Sequence, residues 1–222
     1  MILFKLLNIN KIQMAKIKMS KNVASIDMTA MCDVAFLLLT FFILTATAKT
    51  PEALPVTTPA STVEVKLPDT GLVMLTIGKS DGKDKVFFGM KDRDVRAKTL
   101  ELMAAKYKLS FTPEETAQFA LIDEFGVPIQ ALKQIIAMKA ADRNKEGLQP
   151  GIPLDSLDNQ LKDWIYTARQ ANIELGNDKE LDFAIKGDAK QEYPNIKKIM
   201  DILQDQKINS FNLVTGARGK DF

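Results

Sequence analysis

The run MTAMCDVAFLLLTFFILTATA, residues 28–48, constrains this chain more than any other feature. At about 1.5 Å of rise per residue it makes a helix of about 31 Å, the thickness of a bilayer's hydrocarbon core. No polar face recurs along it at helical spacing, and Thr40, Thr45 and Thr47 are scattered, which argues against the core helix of a soluble domain. Threonines in a span bond back to their own helix or across to a neighbour. The run therefore reads as a transmembrane helix. One residue is out of place in it. Asp33 stands five residues inside the leading edge, where a charged carboxylate costs at least about 2.5–3.5 kcal/mol.

Three readings of Asp33 compete. It can pair with a partner helix and only specify assembly, or it can snorkel to the near interface. It can also carry a proton, bound and released as its surroundings alternate between wet and dry. The third reading is preferred, because ionisable groups inside a span are functional by default. One charge crossing the membrane is worth about 2.3 kcal/mol per 100 mV, enough to couple titration to a conformational change. A single helix cannot build a channel, so an otherwise lipid-facing carboxylate implies helices from another chain or another copy. Asp27, six residues earlier and on a different helical face, is read as solvated at the membrane edge.

Charge sets the expected topology. The net charge is only +2, yet Lys5, Lys11, Lys16, Lys18 and Lys21 precede the span with no acid among residues 1–26. This bias places the N-terminus in the cytoplasm and residues 49–222 beyond the inner membrane. A cleaved signal peptide is not expected, since the basic region is long and no small-residue cleavage site follows. The segment MILFKLLNIN fits an interfacial helix or an upstream start equally well. A near-neutral body with one basic tail does not suggest nucleic acid. The chain has one cysteine, Cys32, and no histidine. That excludes an intrachain disulfide, His-containing zinc sites and Ser-His-Asp or Cys-His catalysis.

Beyond the span, KTPEALPVTTPAST (49–62) reads as a flexible Pro/Thr linker, about 43 Å long if extended. STVEVKLP alternates Val63, Val65 and Leu67 like a strand, and LVMLTIG with KVFFG reads as a hairpin with a slightly long loop around Asp81-Gly82. Helices are expected over Asp94–Tyr107, from a capping box at Thr112 and Glu115 to a stop at Gly126, and over Ile129–Asn144 and Leu154–Ala171. The last carries Trp164 on a core stripe. LDFAIKGD, the helix opened by Pro194 and SFNLVTG make a strand–helix–strand unit. Asp182 and Asp188 are not read as a working carboxylate pair; Asp188 belongs to a Gly-Asp turn. The expected fold is one N-terminal transmembrane helix plus an α+β domain, a small mixed sheet packed with helices. Its divisions are a basic N-terminus (1–27), the span (28–48), the linker (49–62) and the domain (63–222), with a helical insertion at about 91–153.

Two stretches, IDMTAMCDVAFLLLTFF and FAIKGDAKQEYPNIKKIMDILQDQKINSFNLVTG, resemble the ExbD/TolR family of biopolymer-transport proteins. In that family a threonine precedes the essential span aspartate by four residues, here Thr29 and Asp33. A proline commonly follows the threonine, where this chain has Ala30. The resemblance implies a single-pass inner-membrane protein with a periplasmic domain, working as a homodimer of spans inside a pentamer of a multi-span ExbB/TolQ-like partner. Proton flow past Asp33, with Thr29 and Thr40 as pore neighbours, would drive motion that a TonB-like protein passes on to outer-membrane transporters. The protonmotive force is then the energy source and protons the coupling ion, with no bound cofactor, no metal and no enzymatic activity. Val63, Val65 and Leu67 are the candidate strand for docking the TonB-like peptide by strand addition. A TolR-like role in envelope integrity, and a non-energised membrane-tethered scaffold, are the rival expectations.

Overall fold

The computed structural model describes residues 28–46, 52–61, 66–80, 82–145, 147–155 and 158–217. The chain divides into two compact units, Met1–Ala48 and Lys49–Phe222. The first contains α1 (Met28–Thr45), which buries none of its residues and is long and apolar enough to cross a membrane.

The second unit is built on a mixed sheet. A short strand β1 (Ala60–Ser61) precedes β2 (Leu72–Ser80), which pairs antiparallel with β3 (Lys83–Met90). Their register runs to Ser80 opposite Lys83, leaving a two-residue loop, shorter than expected. Gly82 supplies the positive φ of 71° that so tight a connection needs. Next come α2 (Arg93–Tyr107), α3 (Pro113–Phe119) and β4 (Glu124–Phe125), which pairs antiparallel with β3. A 3-10 turn at Ile129–Ala131 leads into α4 (Leu132–Ala137), α5 (Ala140–Arg143) and α6 (Gln160–Glu174). The expected strand–helix–strand unit closes the chain as β5 (Asp182–Gly187), α7 (Tyr193–Asp205) and β6 (Phe211–Val214), with β5 parallel to both β2 and β6. The sheet order is β4-β3-β2-β5-β6, and β7 (Gly216–Ala217) pairs separately with β1.

Strand alternation puts Val73, Leu75 and Ile77 on one face with Val86, Phe88, Phe183 and Ile185. The apolar stripes of α2, α6 and α7 close over that face through Leu100, Met103, Leu161, Ile165, Ile199 and Leu203. Trp164 sits at the centre, its ring 4.9 to 6.1 Å from those of Phe125, Phe88 and Phe119.

Several elements differ from the sequence expectation. The capping box at Thr112 is present, with Thr112 Oγ1 accepting from the Glu115 amide at 3.2 Å and the Thr112 amide donating to Glu115 Oε2 at 2.8 Å. The helix it opens stops at Phe119, not Gly126. Had it continued, Phe125 would point about 120° away from Phe119. Turning into β4 lets both rings reach the core. The 129–144 helix is broken by extended backbone at Met138 and Lys139. The last long helix begins at Gln160, where Asn159 accepts from the Lys162 amide at 3.0 Å, and runs on to Glu174. The 91–153 stretch is no appendage, since Phe119, Phe125, Ile129 and Leu132 complete the core.

The other face of the sheet holds the second departure. Residues 52–61, expected as free linker, lie on it as a strap. Leu54 is only 3% exposed. Thr57 O accepts from the Ala189 amide at 2.7 Å, and Pro59 O from the Gly216 amide at 2.8 Å. The strap settles where β2 has no side chain: a Cβ added at Gly78 would stand 2.6 Å from Val56 Cγ1 and 3.2 Å from Leu54 Cδ2. Of the candidate docking strand, Val63 and Val65 lie outside the described residues, and Leu67 is half-buried and in no strand.

Candidate functional site

In α1 the three expected residues, Thr29, Asp33 and Thr40, fall on one side of the helix, which the scatter of Thr40, Thr45 and Thr47 does not show. At 100° per residue, Thr29, Asp33 and Thr40 lie within about 40° of one another on the helix surface. They form one polar line on an otherwise apolar rod. The signal was the spacing of four and then seven, which a search for a continuous polar face passes over. Thr40 Oγ1 donates to Leu37 O at 2.9 Å and Thr45 Oγ1 to Phe41 O at 2.7 Å. Thr40 therefore has its proton committed to the helix and keeps only acceptor capacity toward Asp33's side of the rod. Asp33 is exposed and has no hydrogen-bond or ion-pair partner among the described residues. Asp27 lies outside them.

In the second unit the two carboxylates weighed from the sequence are engaged separately. Asp182 pairs with Lys179 at 2.7 Å, while Asp188 Oδ1 accepts from the Lys190 amide at 3.1 Å in the turn after β5. The two carboxylates are thus not brought together. Tyr107 Oη donates to Asp163 Oδ2 at 2.8 Å, and Lys106 reaches the other oxygen at 2.6 Å. Burial, then the bond to Asp163, pushes the tyrosine's pKa up, which makes the ring a brace and not a base. Arg96 is buried against Asp123 at 3.0 Å and the Lys91 carbonyl at 3.1 Å, with desolvation lowering its pKa. Among the described residues no group of three or more Cys, Asp or Glu side chains is placed to hold a metal ion.

An apolar helix long enough to cross a membrane, carrying one carboxylate and followed by a separately cored α+β unit, defines a single-span protein with one folded domain. The sequence model of the family described as biopolymer transport protein ExbD/TolR matches residues 19–218, and the chain belongs to that family of inner-membrane, non-enzymatic transport proteins. No curated protein and no solved structure matches it.

Proposed function

We propose that this chain is the proton-coupled, energy-transducing subunit of an ExbB–ExbD type inner-membrane motor that powers TonB-dependent outer-membrane transport. The observation that carries the reading is Asp33, exposed and without a partner among the described residues, on a helix with no other acid. Such a group is tolerated in hydrocarbon only where other helices or water receive it. An ExbB/TolQ-like pentamer supplies those helices, and a second copy of the span shares the pore. Asp33 takes up and releases the proton, and Thr29 and Thr40 supply polar neighbours on the same line. The N-terminus is cytoplasmic, and residues 63–222 meet the TonB-like client in the periplasm, at the segment that carries Val63, Val65 and Leu67.

The test is TonB-dependent uptake in cells carrying Asp33→Asn, alongside pull-down of the multi-span partner. The expected result is a retained partner and abolished uptake. Intact uptake would remove the carrier role. Loss of both would make Asp33 a helix-pairing group. Because the family description covers TolR as well, detergent sensitivity and cell constriction are scored in the same strains. A defect confined to those would assign the chain to the envelope-integrity system.

A further inference from the structure

The face of the sheet under the strap holds a group of polar side chains that the motor reading leaves unused. β4 sets Glu124 opposite Gly89 of β3. With no side chain at Gly89, where an added Cβ would stand 3.4 Å from Glu124 Cβ, the glutamate lies across the sheet. Its carboxyl comes beside the Thr76 hydroxyl on β2 and near Lys186 on β5, the register partner of Thr76. Lys186 Nζ in turn holds Glu52 of the strap at 2.7 Å. Four elements thus send one side chain each to the same place.

Two oxygens there are buried without a hydrogen-bond partner, Thr76 Oγ1 and Glu124 Oε1. Unpaired buried oxygens are costly, and the Thr76 hydroxyl is able to donate to an ionised Glu124 or to accept from a neutral one. Burial above all, with Glu52 and Asp123 adding to it, holds the Glu124 carboxyl above the ordinary carboxylate range; Thr76 and Lys186 act the other way. Asp123 is occupied by Arg96 at 3.0 Å and lies near Arg143. Lys186 is therefore the cation open to Glu124, and it already serves the strap.

We propose that residues 52–57 form a latch whose closure is set by the proton on Glu124. With Glu124 neutral, Lys186 belongs to Glu52, and Leu54 and Val56 lie closed over Gly78. When Glu124 ionises it competes for the same ammonium, repels Glu52 and draws water toward a half-buried carboxylate whose Oε1 is covered in the closed state. All three effects act in one direction: rising pH loosens the strap. The latch is independent of the role given to Asp33, since it needs neither a partner chain nor a membrane potential.

The experiment is amide hydrogen exchange on the full chain in detergent micelles, at about pH 5 and about pH 8, corrected for intrinsic exchange. The readouts are the Ala189 and Gly216 amides, which donate to the strap, against β2–β3 amides as the internal standard. In the wild type, protection at the strap-bonded amides falls by up to about fivefold on raising the pH, the most expected of an ion pair this exposed. In Glu124→Gln it stays at its low-pH level throughout, and in Glu52→Gln it is low at both pH values. A wild-type strap indifferent to pH, or the same fall in Glu124→Gln, overturns the latch. If Glu52→Gln disturbs the β2–β3 standard, the decision rests on the wild type and Glu124→Gln alone.

Discussion

Asp33 and Glu124 are both carboxylates with an oxygen left unpartnered among the described residues, but they report on different things. Asp33 buries nothing within its own chain and so contributes to function through whatever surrounds it. Glu124 is enclosed by its own fold and couples folding to pH. In the unfolded chain it titrates at the ordinary value of 4.5, and burial raises it in the folded one. Between those two values the folded chain holds a proton that the unfolded chain has lost, so stability falls as pH rises through the window and stays at the lower level above it. Glu124→Gln removes that fall. The variant should be the more stable at neutral pH and match the wild type below about pH 4.5, as read from urea unfolding along a pH series. A second residue-scale case is Lys108, which ends α2 in the left-handed region at φ 55° with its amide bonded back to the helix. Lys108→Gly keeps that bond and removes the Cβ strain. It should stabilise the fold by roughly 0.5–1 kcal/mol, measured as a shift in the denaturation midpoint.

At the scale of elements, the strap and the core answer to different substitutions. Gly78→Ala puts a methyl where Val56 now lies. Overpacking of this kind costs about 1–3 kcal/mol, and here the strap is the partner able to yield. Exchange at Ala189 and Gly216 should rise while the β2–β3 amides stay protected. Trp164→Ala opens the aromatic centre instead and should cost about 3–5 kcal/mol by chemical unfolding. These elements also differ in how far the sequence disclosed them. The strand–helix–strand at the C-terminus, the helix ending at Tyr107 and the place of Trp164 were legible because each rests on a long periodic stripe. β4 was not, since two residues cannot carry an alternation. The strap was hidden by its Pro- and Thr-rich composition. Leu54 and Val56 are the apolar side chains that seat it, on a glycine some twenty residues on. The rest of its hold is backbone hydrogen bonds and the Glu52–Lys186 pair. In the span, a lone acid in an apolar run made Asp33 obvious. Its alignment with Thr29 and Thr40 lies in the spacing of four and then seven, which a search for a continuous polar face passes over.

At the scale of the whole chain, the two units divide the physical problem between them. Every residue of the hydrophobic core belongs to the unit Lys49–Phe222, and α1 contributes none. Residues 49–222 made alone should therefore stay soluble without detergent and melt in one cooperative transition at the full chain's midpoint, as followed by circular dichroism. A lower midpoint would mean that α1 supports the domain. The division also gives the strap a mechanical meaning. Residues 52–61 are the first described residues of the second unit, held to its body by the hydrogen bonds at Thr57 and Pro59. Laid out, the latch residues 52–57 amount to about 20–22 Å of backbone, some two-thirds of the thickness of the bilayer core. A closed latch withholds that slack and an open one pays it out, so the proton on one buried glutamate sets the volume the tethered domain can search.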